Sequence, residues 1–339
     1  MPDVSVETGP TVPIQRVQQT VALALRRGWD VDALLAAAGI APDLLAEGRS
    51  RVTAAQLASV IRALWRATDD ELLGFGLAPV PRGTAHLLAH AMITAPDLGG
   101  MLRRCQGFRR AVPGFPPPEL TTDGERARFT CDVQAVEDPV PLLVDTMLAV
   151  VHRFLGWAIG KRLPLHVVEV PYRRQPEIDD HDLIFGAPMA FGADRPGLVF
   201  ATRWLAAPIV RGADELDGYL RDSPARFLTD GGYSTTLTGQ VRARMARGLG
   251  GAWPGVEEIA AGLAMSPQTL RRRLREEGTS AREIREQILR DAAIAGLVRG
   301  QETVQALSRR LGFSEPSTFS RAFRRWTGSP PGAYQRRNA

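Results

Sequence analysis

One stretch decides the fold of the C-terminal part of the chain: Leu311-Gly-Phe-Ser-Glu-Pro-Ser-Thr-Phe-Ser-Arg-Ala-Phe, which repeats an earlier segment. The earlier copy is one residue shorter and reads Leu263-Ala-Met-Ser-Pro-Gln-Thr-Leu-Arg-Arg-Arg-Leu, with Ser266 and Ser314 in matching places 48 positions apart. Each copy has the pattern of two helices joined by a tight turn. Two such helix-turn-helix units in one chain can enter successive major grooves of DNA without a partner subunit.

The first copy predicts a helix with one packing face and one polar face. Ser266 is a good N-cap residue, and Pro267 suits the first helical position. Leu270 and Leu274 share the face that we expect to be buried. The polar residues at i, i+3, i+4 and i+7 share another face, namely Gln268, Arg271, Arg272 and Arg275. Because Arg can pair bidentately with guanine and Gln with adenine, this face has the chemistry of base recognition.

The second copy predicts the same arrangement. Gly312 is the residue best able to take the tight turn, and Ser314 is expected to cap the following helix. The aromatic side chains that should pack inward on that helix are Phe319, Phe323 and Trp326. The residues expected on its opposite face are Ser317, Ser320, Arg321 and Arg324. Between the copies, Ala281 to Val298 predict one helix of 18 residues, about 27 Å long, which could hold the two recognition helices about one DNA turn, roughly 34 Å, apart.

The positive charge of the chain is concentrated in this region. Residues 238–339 contain 18 arginines and no lysine against 9 acidic residues, a net charge of +9, whereas the whole chain of 339 residues carries +5. The remainder is therefore mildly acidic. This asymmetry fits a polyanion-binding module, because phosphate neutralisation supplies most non-specific affinity for DNA. An isolated arginine-rich helix is more often a solvated face, but the duplication of turn, aromatic and arginine positions favours recognition.

Two longer stretches connect these units to a known family. The second copy continues to Arg324-Arg-Trp-Thr-Gly-Ser-Pro-Pro-Gly-Ala-Tyr, and the first contains Thr269-Leu-Arg-Arg-Arg-Leu-Arg-Glu-Glu-Gly. They resemble the DNA-binding region of AraC/XylS-type transcription regulators. The resemblance implies groove-facing positions at Gln268, Arg271 and Arg272 in the first recognition helix and at Ser317, Thr318 and Arg321 in the second. One departure is Met265, because many members have a small or glycine residue at the positions of Ala264 to Met265.

The N-terminal two-thirds predict a mixed α+β domain. Residues 14–66 have helical spacing throughout, interrupted at Gly39 to Pro42, with Thr53 as an N-cap. Segments 86–112 and 139–162 also predict helices. The short runs rich in β-branched and aromatic residues predict strands and begin at Ala127, Leu165 and Gly197. The expected fold is an α+β regulatory domain at 14–210, a partly helical connector at 211–237, and an all-α DNA-binding domain at 238–337 with two helix-turn-helix units joined by a long helix.

Two stretches of the first domain also carry a resemblance. They begin Arg82-Gly-Thr-Ala-His-Leu-Leu-Ala-His and Phe185-Gly-Ala-Pro-Met-Ala-Phe-Gly. Both are similar to the arabinose-binding-type regulatory domain that precedes the DNA-binding module in a subgroup of AraC/XylS-type regulators. The resemblance implies an effector-sensing or dimerising domain and does not imply that the ligand is arabinose.

Several residues of this domain are candidates for contact with a small-molecule effector: Trp65, His86, His90, Phe108, Tyr172 and Phe191. For each aromatic residue, packing in the core is the more common role. His86 and His90 are spaced i, i+4, which can bind a metal ion on one helix face. No third ligand lies near them in the sequence, so a packed or polar-pocket role is favoured, and we expect neither a metal nor a cofactor.

Other classes of protein find little support in the sequence. The apolar run from Val140 to Val151 is broken by Asp145 and too short to span a membrane, and the N-terminus lacks the pattern of a secretory signal. A cytoplasmic location is therefore expected. The chain lacks the Gly-x-Ser-x-Gly elbow, the phosphate-binding Gly-x-x-x-x-Gly-Lys loop and His-Glu-x-x-His. We therefore expect no enzyme.

The sequence as a whole predicts a ligand-responsive regulator with promoter DNA, a small-molecule effector, RNA polymerase and a second copy of itself as candidate partners. An effector-independent architectural DNA-binding protein is one alternative. A second alternative is a DNA-binding module fused to a cysteine-dependent enzyme, because Arg103 and Arg104 precede Cys105 and could lower the pKa of its thiol.

Overall fold

The computed structural model describes residues 10–76, 78–108, 110–134, 136, 140–221, 236–249 and 253–335. The N-terminal part is mixed α+β and the C-terminal part is helical, as the sequence predicts. Of the 211–237 connector, residues 222–235 lie outside the described residues. Within the described part, no helix combines the length and apolar character needed to cross a membrane.

The N-terminal part begins with a helical layer that includes one small sheet. Its first helices are α1 (Ile14–Arg26), α2 (Val31–Ala38), α3 (Asp43–Ala46) and α4 (Ala54–Thr68). Gly39 ends α2 in the left-handed conformation, and Thr53 caps α4 in a capping box with Gln56, which confirms both predicted boundaries. The prediction of an all-helical segment is wrong at 51–53. That segment forms β2 (Arg51–Thr53), which pairs antiparallel with β1 (Thr11–Pro13), and this distant pairing overrides the local helical pattern.

A five-stranded sheet forms the second layer, in the order β3-β4-β7-β5-β6. Its strands are β3 (Pro118–Asp123), β4 (Arg126–Cys131), β5 (Leu165–Val170), β6 (Met189–Phe191) and β7 (Gly197–Ala201). The three predicted strands form the centre, β4, β7 and β5, which pair antiparallel. The two edge strands were not predicted from the sequence, because Pro118-Glu-Leu-Thr-Thr-Asp and the three residues of β6 carry little strand signal.

Five further helices follow in the described residues of the N-terminal part. They are α5 (Thr84–Ile93), α6 (Leu98–Phe108), α7 (Pro141–Ala158), α8 (His181–Phe185) and α9 (Ala213–Arg221). Of these, α6 packs against β3 and α7 against β7. The predicted helical segment 86–112 is therefore two helices, separated at Pro96, which disfavours a continuous helix. Helix α9 lies in the predicted connector and packs against α5. The first part of the connector is thus helical and belongs structurally with the regulatory domain.

The C-terminal helices form the two predicted units. They are α10 (Leu237–Ala246), α11 (Val256–Ala261), α12 (Pro267–Glu276), α13 (Ala281–Arg299), α14 (Val304–Arg310) and α15 (Pro316–Thr327). The first unit has its own core, in which Val241, Ile259 and Leu274 are buried. Helix α13 joins the units over 19 residues, against 18 predicted. The second unit shares one hydrophobic cluster with the regulatory domain, to which it contributes Ile294, Phe319 and Phe323 among others.

The two parts are connected by a polar contact between α13 and the small sheet. Asp291 is buried on α13, and its Oδ1 accepts a hydrogen bond of 2.5 Å from the Thr11 hydroxyl of β1. The Arg51 Nε of β2 lies 4.0 Å from the same oxygen, and Arg51 Nη1 donates a hydrogen bond of 2.6 Å to the Asp179 carboxylate. The backbone N–H of Arg51 also donates to the Tyr334 hydroxyl at 3.1 Å. The DNA-binding part is therefore docked on the regulatory part through buried side chains.

Candidate functional site

Helix α12 presents the polar face that the sequence predicts. Ser266 caps it by accepting a hydrogen bond from the Thr269 backbone, and Pro267 occupies the first turn. Leu270 and Leu274 are buried in the first unit's core. The predicted DNA-contacting residues of α12 are all exposed, namely Gln268, Arg271, Arg272 and Arg275. They share one side of a short helix that follows a tight turn, the geometry of a recognition helix.

Helix α15 presents a corresponding face in the second unit. Phe319 and Phe323 are fully buried, and Trp326 packs against the same cluster while half-buried. The predicted DNA-contacting residues that are exposed on α15 are Ser317, Thr318, Arg321 and Arg324, while Ser320 is half-buried. The residues that the structure exposes are therefore mainly the hydroxyl and guanidinium groups that can contact phosphates and base edges.

The start of α15 differs from the prediction. Ser314 does not cap the helix; the N-cap position is Glu315, and its side chain makes no capping hydrogen bond. The physical reason is Pro316, which occupies the first helical position because its φ is fixed there and it has no N–H to satisfy. The extra residue of the second copy is thus accommodated in the turn, one position before the helix begins.

The turns of the two units use the same backbone conformation with different residues. Gly312 takes a φ of +82°, and Ala264, 48 positions earlier, takes a φ of +53°. Both values lie in the left-handed region, which glycine adopts freely and alanine does not. The turn next to the departure at Met265 therefore has the same geometry as the turn of the second unit, and Ala264 carries the strain of the left-handed conformation.

The exposed arginines of α12 are held by weak contacts within the protein. Arg272 pairs with Glu276 at 2.6 Å, and Arg271 lies 3.6 Å from Glu257. All four side chains are more than half exposed, so each pair contributes little to stability. Both guanidinium groups can therefore exchange these partners for phosphate or base acceptors at small cost.

The regulatory part contains a cavity of about 460 Å³ between α4, α5, α7, α9 and the β3–β4 edge of the sheet. Its walls are mostly apolar, with Leu88, Met92, Phe129 and Phe154 among the lining residues. Drug-sized ligands bind in pockets of this size and character. The arrangement is therefore suited to a small molecule with a largely apolar surface.

Few polar groups reach this cavity. Thr146 on α7 lines it, and its buried hydroxyl has no hydrogen-bond partner among the described residues. The Glu71 carboxylate accepts hydrogen bonds from the Gly83 and Ala85 backbone at 2.9 Å, and burial raises the pKa of that carboxyl. His86 and Arg82 complete the polar lining near the start of α5. A ligand would therefore meet its polar contacts at Thr146 and around the start of α5.

The residues predicted to contact an effector do not all lie at the cavity. Trp65 and His86 line the cavity. His90 lies one turn along α5 from His86, and Phe108 packs edge-on against Phe115, which itself lines the cavity. Tyr172 and Phe191 do not line it. Both are half-buried and lie in a separate cluster, with ring centroids 6.0 Å apart.

That separate cluster is a hydrogen-bonded ion network. The Tyr172 hydroxyl donates to the Asp145 carboxylate, and Arg16 pairs with Asp145 at 2.9 Å and with Asp180 at 2.6 Å. Burial is the largest cause that raises the pKa of Tyr172, and the negative charge of the neighbouring Asp145 is the next. Burial alone would raise the pKa of Asp145, but Arg16 and His181 hold it below its ordinary value. These partners account for the polar groups of Tyr172 within the fold.

The thiol of Cys105 is not activated as the sequence suggested. Cys105 and Cys131 are both buried, and burial raises the pKa of Cys105 to about 12. The preceding arginines do not offset it, because Arg103 lies 3.9 Å from Asp97 and Arg104 donates to the Ala91 carbonyl. A thiol with a raised pKa is a poor nucleophile, which removes the main support for the cysteine-enzyme alternative.

Two residues that form hydrogen bonds with partners far along the chain were not predicted from the sequence. Asp291 contacts Thr11 across 280 positions, and Asp217 contacts His90 across 127. The acidic residue in the middle of α13, Asp291, was a signal in the sequence for a long-range contact, because a buried charge needs a partner. Its partner could not be named from spacing.

Comparison with known proteins defines the class and then the family. Residues 259–337 match the helix-turn-helix domain family, in agreement with α11 to α15. Residues 28–209, more than half of the chain, match the family described as the arabinose-binding domain of AraC transcription regulators, N-terminal. This chain belongs to the AraC family of transcription regulators.

The chain is also similar to individual proteins. An uncharacterized HTH-type transcriptional regulator of Mycobacterium tuberculosis is 45% identical over 101 residues, 30% of this chain and 29% of the relative's length. The ornithine utilization regulator of Pseudomonas aeruginosa is 23% identical over 337 residues, 97% of each chain. Among solved structures, transcriptional regulator CdpR from Pseudomonas aeruginosa is 19% identical and is matched over 94% of this chain and 96% of its own, with a TM-score of 0.31.

Proposed function

We propose that this protein binds promoter DNA through two recognition helices and that a small molecule in its N-terminal cavity modulates that binding. The observation that carries the proposal is the pair α12 and α15. Each follows a left-handed turn, buries its apolar face and exposes arginine and small polar side chains. A single helix, α13, joins them and fixes the units in one chain. Two adjacent major grooves on one face of the duplex are the expected target.

The proposed DNA contacts are those predicted from the sequence, all of them exposed except the half-buried Ser320. On α12 they are Gln268, Arg271, Arg272 and Arg275, and on α15 they are Ser317, Thr318, Ser320, Arg321 and Arg324. The proposed division of the chain assigns 14–210 to effector sensing, 211–237 to the connector and 238–337 to DNA binding. Packing of α9 on α5 supports a connector that responds to the state of the regulatory domain.

The proposed effector is a small molecule with a mostly apolar body and one polar group. The volume of about 460 Å³ and the apolar walls support this class, and the unpartnered Thr146 hydroxyl supports one hydrogen bond to the ligand. Trp65 and His86 are the predicted effector residues best placed for contact. A strongly charged, fully hydrophilic ligand would lose its hydration in this cavity without gaining enough partners.

Coupling between cavity and DNA is proposed to run through the docked interface of α13 with β1 and β2. Allosteric coupling of this kind is typically about 1 to 3 kcal/mol, or 5- to 150-fold in affinity. Two further partners are proposed: a second copy of the chain, testable by light scattering, and RNA polymerase at the target promoter, testable by in vitro transcription. When bound to DNA, the protein is expected at the nucleoid.

The test is binding of the purified full-length chain to the promoter regions flanking its own gene, against scrambled DNA at physiological salt. We expect a preference of roughly a thousandfold or more and a footprint of two adjacent turns. Binding to unrelated duplexes within about tenfold would instead favour an architectural protein. Adding a library of apolar small molecules to the same assay then identifies those that change the affinity.

A further inference from the structure

We propose that His86, His90 and Asp217 form a binding site for a divalent transition-metal ion of the zinc type, which fastens α9 to α5. The two histidines occupy successive turns of α5, and the carboxylate comes from α9. The sequence shows the histidine pair but not its third member, which lies 127 positions from His90. The fold brings the three together.

The distances suit a shared ion. Asp217 Oδ1 lies 3.1 Å from His90 Nε2 and 3.5 Å from His86 Nε2. Tetrahedral zinc with bonds of about 2.0 to 2.1 Å separates its ligand atoms by roughly 3.3 Å. One ligand atom from each of the three side chains lies within 4.8 Å of the other two. Small rotations of exposed side chains are therefore enough to form the site.

The ligand set indicates the class of metal. Two imidazole nitrogens and one carboxylate oxygen suit zinc, cobalt, nickel or copper, whereas calcium and magnesium prefer oxygen ligands alone. The side chains are 48% exposed for His86, 35% for His90 and 56% for Asp217. Solvent can thus reach the ion and fill a fourth position. This openness fits an exchangeable ion better than a permanent structural one, because structural sites are closed by four protein ligands.

A metal ion at this site would lie beside the wall of the cavity in the regulatory part. Helix α9 contributes Tyr219 and Leu220 to the wall of the cavity, and α5 contributes His86. Tyr219 also stacks on Trp157 of α7, with ring centroids 4.4 Å apart. A metal ion between α5 and α9 would hold α9 as a fixed wall of the cavity, directly before the segment that leads to the DNA-binding part. Metal availability would then set how readily the cavity opens.

The first test measures zinc binding by untagged full-length protein in competition with a chromophoric chelator. We expect one exchangeable ion per chain, and d–d absorption bands when cobalt replaces zinc. His86→Gln, His90→Gln and Asp217→Asn should each weaken binding by more than about tenfold, since even outer partners of metal-bound histidines cost 10- to 100-fold. The matched control is His166→Gln, which alters an exposed histidine on β5 and should bind as the unaltered protein does.

The second test follows hydrogen exchange of residues 213–221. Zinc should slow exchange there in the unaltered protein and in His166→Gln, but not in His90→Gln. Absence of zinc binding, or equal binding by all the variants, would overturn the site. Binding that leaves exchange in α9 unchanged would overturn its bridging role. Neither assay involves DNA or effector, so both outcomes are independent of the proposed function.

Discussion

At the scale of single residues, the clearest backbone cost lies in the first turn. Ala264 adopts a φ of +53°, where Gly312 in the second turn has +82°. We expect Ala264→Gly to raise the free energy of unfolding by up to about 1 kcal/mol, because relief of left-handed strain exceeds the entropy that glycine adds to the unfolded chain. Gly312→Ala should lower the free energy of unfolding by about 1 kcal/mol, because alanine is strained in this backbone conformation. No steric clash adds to this strain, since an added Cβ meets no atom within 4 Å.

The two changes are compared by urea unfolding of the full-length chain. Ala261→Gly is the matched control, because Ala261 is exposed in the right-handed conformation of α11. Glycine there should be destabilising by about 0.5 to 1 kcal/mol. If Ala264→Gly and Ala261→Gly were equally destabilising, the left-handed turn would not be formed in the first unit.

His152 gives the regulatory domain a specific pH dependence. It is buried on α7 with Nε2 2.7 Å from the Leu163 carbonyl, and burial, with Arg162 and Arg153 nearby, lowers its pKa to about 4. The unfolded chain binds this proton below about pH 6.5, whereas the folded chain remains unprotonated until about pH 4. Between those values the unfolded state holds more protons, so stability should fall as the pH is lowered, by about 3 kcal/mol across the window.

The measurement is the free energy of unfolding at several values of pH from 7 to 4. His152→Gln should flatten the slope between about pH 6.5 and 4, whatever it does to stability at neutral pH. His166→Gln, at an exposed position, should keep the slope. Identical slopes in His152→Gln and the unaltered chain would show that folding does not lower the pKa of His152.

At the scale of elements, α12 and α15 are expected to read bases. Arg272→Ala and Arg321→Ala should each cost on the order of 1 to 3 kcal/mol for the cognate site and relax the base preference at one position. Arg273→Ala is the matched control on α12. Arg273 is also exposed but lies away from the face formed by Arg271 and Arg275. Its loss should therefore weaken binding to all DNA sequences slightly and to the same extent. Binding to a library of single-base operator variants separates these outcomes, and uniform loss for Arg272→Ala would make it a phosphate contact.

The elements that local signals determine were the ones predictable from the sequence. Ser266 with Pro267, Thr53 with Gln56, and the strict packing stripe of α12 each specify structure within a few residues. Most of the features that were not predicted depend on a partner that lies far along the chain. Strand β2 forms because β1 pairs with it, and Asp217 contacts His90 because α9 packs against α5. The start of α15 differs for a local reason, since Pro316 occupies the first helical position and the N-cap is Glu315.

At the scale of the whole molecule, the buried Asp291 is one of the residues that join the DNA-binding part to the regulatory part. It is 3% exposed, accepts the Thr11 hydrogen bond and lies 3.8 Å from Arg242 and 4.0 Å from Arg51. Asp291→Asn would leave these guanidinium groups with less negative charge in a buried place. We expect a loss of about 3 kcal/mol in the unfolding free energy, since removing one partner of a buried ion pair leaves the other charge uncompensated. Asp194→Asn, at an exposed position, should change it by less than about 0.5 kcal/mol.

A double-mutant cycle of Thr11→Val and Asp291→Asn tests whether this docking exists in solution. Residues in contact show coupling energies of about 0.5 to 3 kcal/mol, whereas independent sites are additive. Coupling in that range is expected here, because the two side chains share one hydrogen bond of 2.5 Å between different domains. Base preference should be unchanged in both variants, since neither α12 nor α15 is altered. Additive effects would mean that the two domains are not held together by this contact, and the proposed route from cavity to DNA would then have to pass through the connector alone.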